Sequence, residues 1–229
     1  MGYSSIRKRI AFFKFLATFI SVILHPLLMP TLIFATIFYF CPVAVNLSND
    51  VKENILWMVL VTTFVFPFIS TFVLFFVLKK TFSINDLYME DSKERFYPFL
   101  FTGFFYTAIT YMFIQSNLDP NMIAIMGGIS LSVLIVAVIT YFWKISAHAV
   151  GICGALGYIL VISFFYPYEI MMIPVMVLIV LAGFLLSARL YLNSHSPSQV
   201  YIGAVFGFIF SIVSYLFFQM YGLSLIYSL

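Results

Sequence analysis

The chain has 229 residues, 64% of them hydrophobic, 20% aromatic and only 8% charged, with a net charge of +3. A mean hydropathy of +1.12 is more apolar surface than a soluble domain of this length can hide, so the composition specifies a polytopic membrane protein. The small positive balance, with no groove-like basic run, argues against a nucleic-acid partner, and the isolated Cys41 and Cys153 have no metal-ligand spacing.

The N-terminal "MGYSSIRKRIAFFKF" has the basic start of a signal peptide but no small-residue cleavage site, and apolar sequence continues to about Val45. Two spans turning at "HPLLMP" would leave the first with some 15 residues, about 22 Å of helix, which is short for a bilayer core. The segment therefore reads as a basic interfacial N-terminal segment, residues 1–20, with its helix at about 5–20, running into one span that ends near Val45. Residues 55–78 form an uncharged second span closed by Lys79 and Lys80. Further spans are expected at 98–115, 121–143, 148–166, 170–192 and 198–220, separated by turns such as "SNLDPN" and "YPYE". The expected fold is an all-α transmembrane helix bundle of six or seven spans, one integral membrane domain over residues 1–229. The longest polar stretch, residues 79–97, carries more charge than a bare connection needs.

Three polar sites interrupt this pattern: "DSKERFYP" (91–98), "KISAH" (144–148) and "ARLYLNSHSPSQ" (188–199). Two spans separate each from the next, so all three return to one membrane face, where Lys93, Arg95, Lys144, His148, Arg189 and His195 can converge. Ser146 reads as the N-cap of the span beginning at Ala147, and Ser196 with Pro197 as the N-cap and first residue of the last span. Two helix N-termini facing several cations favour an anion such as phosphate, and two histidines beside it offer a nucleophile and a general acid. The rival readings are ordinary ones. Arg189 and His195 are otherwise groups snorkelling at a helix end, and Lys93 and Arg95 are otherwise loop charges paired with Asp91 and Glu94. Lys144 reads as an interfacial anchor or a ligand, and Gln199 as a capping-box partner of Ser196, a contact of His195, or both. His25 lies outside all three sites and reads as structural, while Ala147, Gly151, Ala155, Gly203 and Gly207 are spaced for close helix packing.

These motifs resemble those of the type 2 phosphatidic acid phosphatase superfamily, membrane lipid phosphatases related to vanadium haloperoxidases. That family carries K-x6-R-P, then P-S-G-H, then S-R-x5-H-x3-D. The third is matched by Arg189, five residues and His195, with Gln199 where the aspartate stands. The second is matched by Ser146 and His148, with Ile145 for Pro and Ala147 for Gly. In the first, Arg95 has Tyr88 in the lysine position and Pro98 two residues late, and Lys93 is its candidate substitute, on the same side if the backbone is extended. The resemblance covers residues 90–210. It implies that His195 attacks phosphorus to form a phosphohistidine, and that His148 protonates the leaving alkoxide and then activates water. Arg189, Arg95, Lys93 and Ser146 would hold the phosphoryl oxygens, Gln199 would orient His195, and no cofactor or metal is required.

The expectation is a metal-independent phosphatase of a lipid-linked phosphate or pyrophosphate, with membrane lipids as its surroundings. A non-catalytic relative that binds lipid phosphate and a small transporter remain alternatives. Many bacterial members of the family work on the outer side of the inner membrane. The Lys/Arg distribution instead places the site on the cytoplasmic side, with Arg7, Lys8, Arg9, Lys14, Lys79 and Lys80 against Lys52 alone after the site residues are set aside.

Overall fold

The computed structural model describes residues 2–82 and 92–222. Among them the chain is helical throughout: α1 (Gly2–Ile23), α2 (Met29–Phe40), α3 (Asn49–Leu60), α4 (Phe66–Phe82), α5 (Ser92–Gln115), α6 (Pro120–Phe142), α7 (Ala147–Phe165), α8 (Met172–Tyr191) and α9 (Pro197–Phe217). Among the described residues seven stretches are long and apolar enough to cross a membrane, and the protein is an all-α polytopic bundle. Its outer surface is apolar, as lipid contact requires; Phe68, Phe72 and Phe76 of α4 and Met176, Val180 and Phe184 of α8 are all exposed.

The first apolar segment is broken where the sequence reads His25-Pro26. A residue before proline is driven out of the helical region, and His25 is extended (φ −64°, ψ 136°), so α1 stops at Ile23. A single 3-10 turn, Pro26–Leu28, then leads into α2. Residues 5–20 are therefore helical as expected, but they do not continue into one unbroken span. α1 is anchored by the Phe13 ring against Tyr191 (centroids 6.4 Å apart) and by the Ser21 carbonyl against His148. Both anchors sit in end turns of α8 and α7, and the first of the seven stretches, Arg7–Phe40, takes in α1 and α2 together. α2 has only 12 residues, about 18 Å, and lies inside, with Ile33, Phe34, Ile37 and Phe38 buried.

The second span also begins earlier than the sequence reading, at Asn49, and it carries a π turn at Val61–Val65 between α3 and α4. The cause is Pro67. It has no N–H to give the Thr63 carbonyl four residues back, and the Phe66 N–H reaches to Val61 instead. The Tyr106 hydroxyl, wholly buried on α5, donates to the Thr63 carbonyl at 3.1 Å and so meets the acceptor that Pro67 leaves open. α5 likewise starts before the expected span, at Ser92, so the polar stretch 79–97 is not one loop. Residues 83–91 of it lie outside the described residues.

At the end opposite His148, Asn121 joins four segments. Its amide N donates to the Ala44 carbonyl (2.8 Å) and the Tyr166 hydroxyl (3.0 Å), while its oxygen accepts from the Tyr215 hydroxyl (2.6 Å) and Gln219 (2.7 Å). Every donor and acceptor of that side chain is used, which is what makes a buried amide tolerable.

α7 and α9 pack backbone against backbone. A Cβ on Gly207 would run into the Val150 carbonyl, one on Gly157 would meet Ser211 and the Phe208 carbonyl, and one on Gly203 would stand 3.0 Å from the Ser146 carbonyl. Backbone contacts backbone here, as the spacing of Gly203 and Gly207 predicts; Gly151 turns the other way, toward Pro26 and Met29 of the α2 segment. Gly207→Leu should therefore wedge the pair apart and cost about 1–3 kcal/mol or more. Gly183 has nothing within 4 Å of its Cβ position, so Gly183→Ala should leave stability unchanged or raise it by up to about 1 kcal/mol. Thermal unfolding of the two variants in detergent measures the contrast.

Candidate functional site

The polar residues of the second and third motifs meet at one end of the α7–α9 pair. Ser146 is the N-cap of α7: its backbone is extended and its fully buried side-chain oxygen accepts from the Ala149 N–H at 3.4 Å. This cap sets His148 in the first turn. α8 ends in a left-handed residue, Asn193 (φ 51°), a conformation that asparagine tolerates well. Arg189 consequently lies in the last turn of α8, where a cation complements the helix dipole, and His195 lies in the short connection to α9.

Gln199 fills both roles that the sequence leaves open. Its side-chain oxygen accepts from the Ser196 N–H (3.1 Å), and its own N–H donates to the Ser196 hydroxyl (3.4 Å), completing a capping box on α9. The same oxygen lies 3.2 Å from His195 Nδ1. Because a backbone N–H already identifies that atom as the amide oxygen, His195 Nδ1 must be the donor. The neutral ring then carries its lone pair on Nε2. The Gln199 carbonyl in turn accepts from the Ser146 N–H at 3.3 Å, so the two helix starts are tied to each other.

His148 is held differently. Its Nε2 is 3.0 Å from the Ser21 carbonyl. A carbonyl only accepts, so Nε2 carries a proton. Ser21 belongs to the last turn of α1, whose terminal carbonyls have no partner within the helix because the chain leaves it before His25. His148 thereby caps the C-terminus of α1 and keeps Nδ1 for other work.

Around His148 the charged neighbours within electrostatic range are Arg189, His25 and His195. The His25 ring stands edge-on to that of His148, with centroids 5.6 Å apart and planes at 79°. The sequence reading left His25 outside the polar sites; the fold brings it in. Its dipeptide with Pro26 was the available signal, since the pair ends α1 beside the start of α7, but nothing in the sequence pairs residue 25 with residue 148. Lys144 lies at the same end, partly buried in the α6–α7 connection. Lys93 and Arg95 stand at the start of α5, at that same end, on helical rather than extended backbone. The extended-chain argument for their shared direction therefore does not apply, and their side chains lie outside the described residues. Among the described residues, no group of three or more His, Cys, Asp or Glu is placed to hold a metal ion.

Below the histidines an apolar slot of about 90 Å³ runs between α2, α5, α6, α7 and α9. Pro26 and Ala147, direct neighbours of His25 and His148, line its head, and Ile33, Ile129 and Phe210 line its depth. Four hydroxyls of its wall are already engaged, Thr102 with the Pro98 carbonyl, Tyr106 with Thr63, Tyr158 with Ser214 and Ser211 with the Phe208 carbonyl, while Ser132 also lines it. An occupant of the slot would meet a surface with little hydrogen bonding to offer.

His148 also supports α1. His148→Phe keeps a ring of similar shape but leaves the Ser21 carbonyl without its donor, a loss of about 1 kcal/mol. Amide hydrogen exchange in the last turns of α1 should accelerate roughly fivefold in that variant while α7 stays protected.

No family model, curated protein or solved structure matches this chain.

Proposed function

We propose that this is a membrane phosphatase that hydrolyses a lipid-linked phosphate or pyrophosphate, as a divergent member of the type 2 phosphatidic acid phosphatase superfamily. The observation that carries the reading is the placement of protons on the two motif histidines. His195, with Nδ1 donating to Gln199, has an Nε2 lone pair for attack on phosphorus. His148, with Nε2 committed to Ser21, has Nδ1 for proton transfer. Arg189, within electrostatic range of His148, supplies positive charge for the phosphoryl oxygens. The apolar slot next to them has room for only a short stretch of a lipid's hydrocarbon part, beside the head group.

In the first step the Nε2–P bond forms as the P–O bond to the lipid breaks; His148, which takes a second proton at Nδ1 as the phosphate dianion binds beside it, gives that proton to the departing oxygen. In the second, His148 takes a proton from water, the hydroxide adds to phosphorus, and the N–P bond breaks to release inorganic phosphate. Gln199 orients His195 without adding negative charge, unlike the aspartate of the resembled motif. In a serine protease the corresponding Asp-to-Asn change costs about 10⁴ in rate by imposing the wrong tautomer; Gln199 holds the right one, so the handicap here is the missing charge alone and is smaller. That same uncharged contact favours the second reading, a relative that binds lipid phosphate without turning it over.

Phosphate release from a panel of lipid phosphates, without added metal, tests both readings. His195→Ala and His148→Ala should each abolish release, and acid-labile labelled phosphate should be trapped on His148→Ala but never on His195→Ala. Gln199→Glu retains the length needed for the capping box and places a carboxylate on His195, so it should raise turnover. The resembled aspartate is one carbon shorter. Wild-type turnover in either histidine variant would overturn the enzyme reading, and binding without release in the wild type would favour the second.

The site face is proposed to be cytoplasmic, on the Lys/Arg distribution: Arg7, Lys8, Arg9 and Lys14 lie on α1, which is anchored at the site end, and Lys52 stands alone at the other. Cys41 and Cys153 are buried, so a cysteine placed at exposed Arg9 reports without background. It should resist a membrane-impermeant thiol reagent in intact cells, and labelling there would reverse the assignment.

A further inference from the structure

We infer that His25 is a third histidine of the site and a hydrogen-bond donor to the phosphoryl group, an inference that rests on the phosphatase reading above. Pro26 holds His25 in extended backbone, and its Nδ1 accepts from the Leu27 N–H at 3.3 Å, capping the turn that leads into α2. A backbone N–H can only donate. The neutral ring therefore has its one proton on Nε2, which the cap does not use. That ring lies edge-on to His148 and within electrostatic range of Arg189. Three imidazoles and a guanidinium brought to one helix end are rich in hydrogen-bond donors, which suits an oxyanion.

The position fits the geometry of the substrate as well. Pro26 and Ala147 both line the head of the apolar slot, so His25 and His148 flank the level at which the phosphate of a lipid seated there would lie. His148 has its Nε2 turned to Ser21 and is reserved for proton transfer. His195 is reserved for attack. His25 is the remaining imidazole, and holding a phosphoryl oxygen is the task that its single proton can perform.

The capping role and the ligand role use different nitrogens, so substitutions can separate them. In His25→Asn the side-chain oxygen takes the place of Nδ1 and can accept from Leu27, but no atom reaches the Nε2 position. In His25→Gln an amide N–H lies near that position. Inorganic phosphate binding to the purified protein in detergent, followed by ³¹P line broadening alongside thermal unfolding, is the measurement. His25→Asn should unfold at the wild-type temperature yet bind phosphate about tenfold more weakly, the loss expected for a hydrogen bond to a charged group. His25→Gln should recover part of the binding, and His25→Ala should lose both binding and thermal stability. Wild-type phosphate affinity in His25→Asn would overturn the inference while leaving the phosphatase reading intact. Absence of phosphate binding by the wild-type protein would overturn both.

Discussion

The backbone contact between α7 and α9 is the constraint on which the rest of the molecule depends. Gly207 against the Val150 carbonyl and Gly203 beside Ser146 bring two helix axes closer than any pair with ordinary side chains between them. Two helices that touch along their length also bring their starts together. Ser146 and Ser196, the two N-caps, therefore become neighbours, and the bond from the Ser146 N–H to the Gln199 carbonyl locks them in register. The histidines gain a shared position from glycines a turn or more away.

A second theme is what happens to carbonyls that helices cannot satisfy. In an apolar surround such groups need partners from elsewhere. The Ser21 carbonyl at the end of α1 is met by His148, the Thr63 carbonyl freed by Pro67 is met by Tyr106, and the Ala44 carbonyl in the α2–α3 connection is met by Asn121. Each break in a helix thus ties two distant segments through one polar side chain. The site is built on the first of these ties. Its consequence is chemical as well as mechanical, because the carbonyl decides which nitrogen of His148 is protonated.

Gln199 shows how one side chain serves fold and chemistry at once. Its oxygen has two lone pairs, one spent on the Ser196 N–H and one on His195. The capping bond orients the amide, and the oriented amide fixes the histidine tautomer. An aspartate in this position would bring charge but would be too short for the same box. The departure from the resembled motif is therefore coupled to how α9 begins.

The sequence by itself determined the class of the protein and most of its punctuation. Apolar runs of bilayer length specified the spans, the Ser-Pro and Ser-x-x-Gln patterns specified the start of α9, and an even number of crossings specified that the three motifs share an end. These are local properties, or consequences of counting, and they survive without knowing which helices touch. Tertiary structure decided what counting cannot reach. The partner of the Thr63 carbonyl that Pro67 leaves open is Tyr106, forty-three residues beyond Thr63 in the chain. The helical start of α5 at Ser92 lay in a stretch whose charges read as loop. Above all, His25 looked like a lone histidine beside a proline, because its neighbours His148 and Arg189 come from other helices. A residue's electrostatic surroundings are set by packing across the bundle, and no periodicity in one segment encodes them.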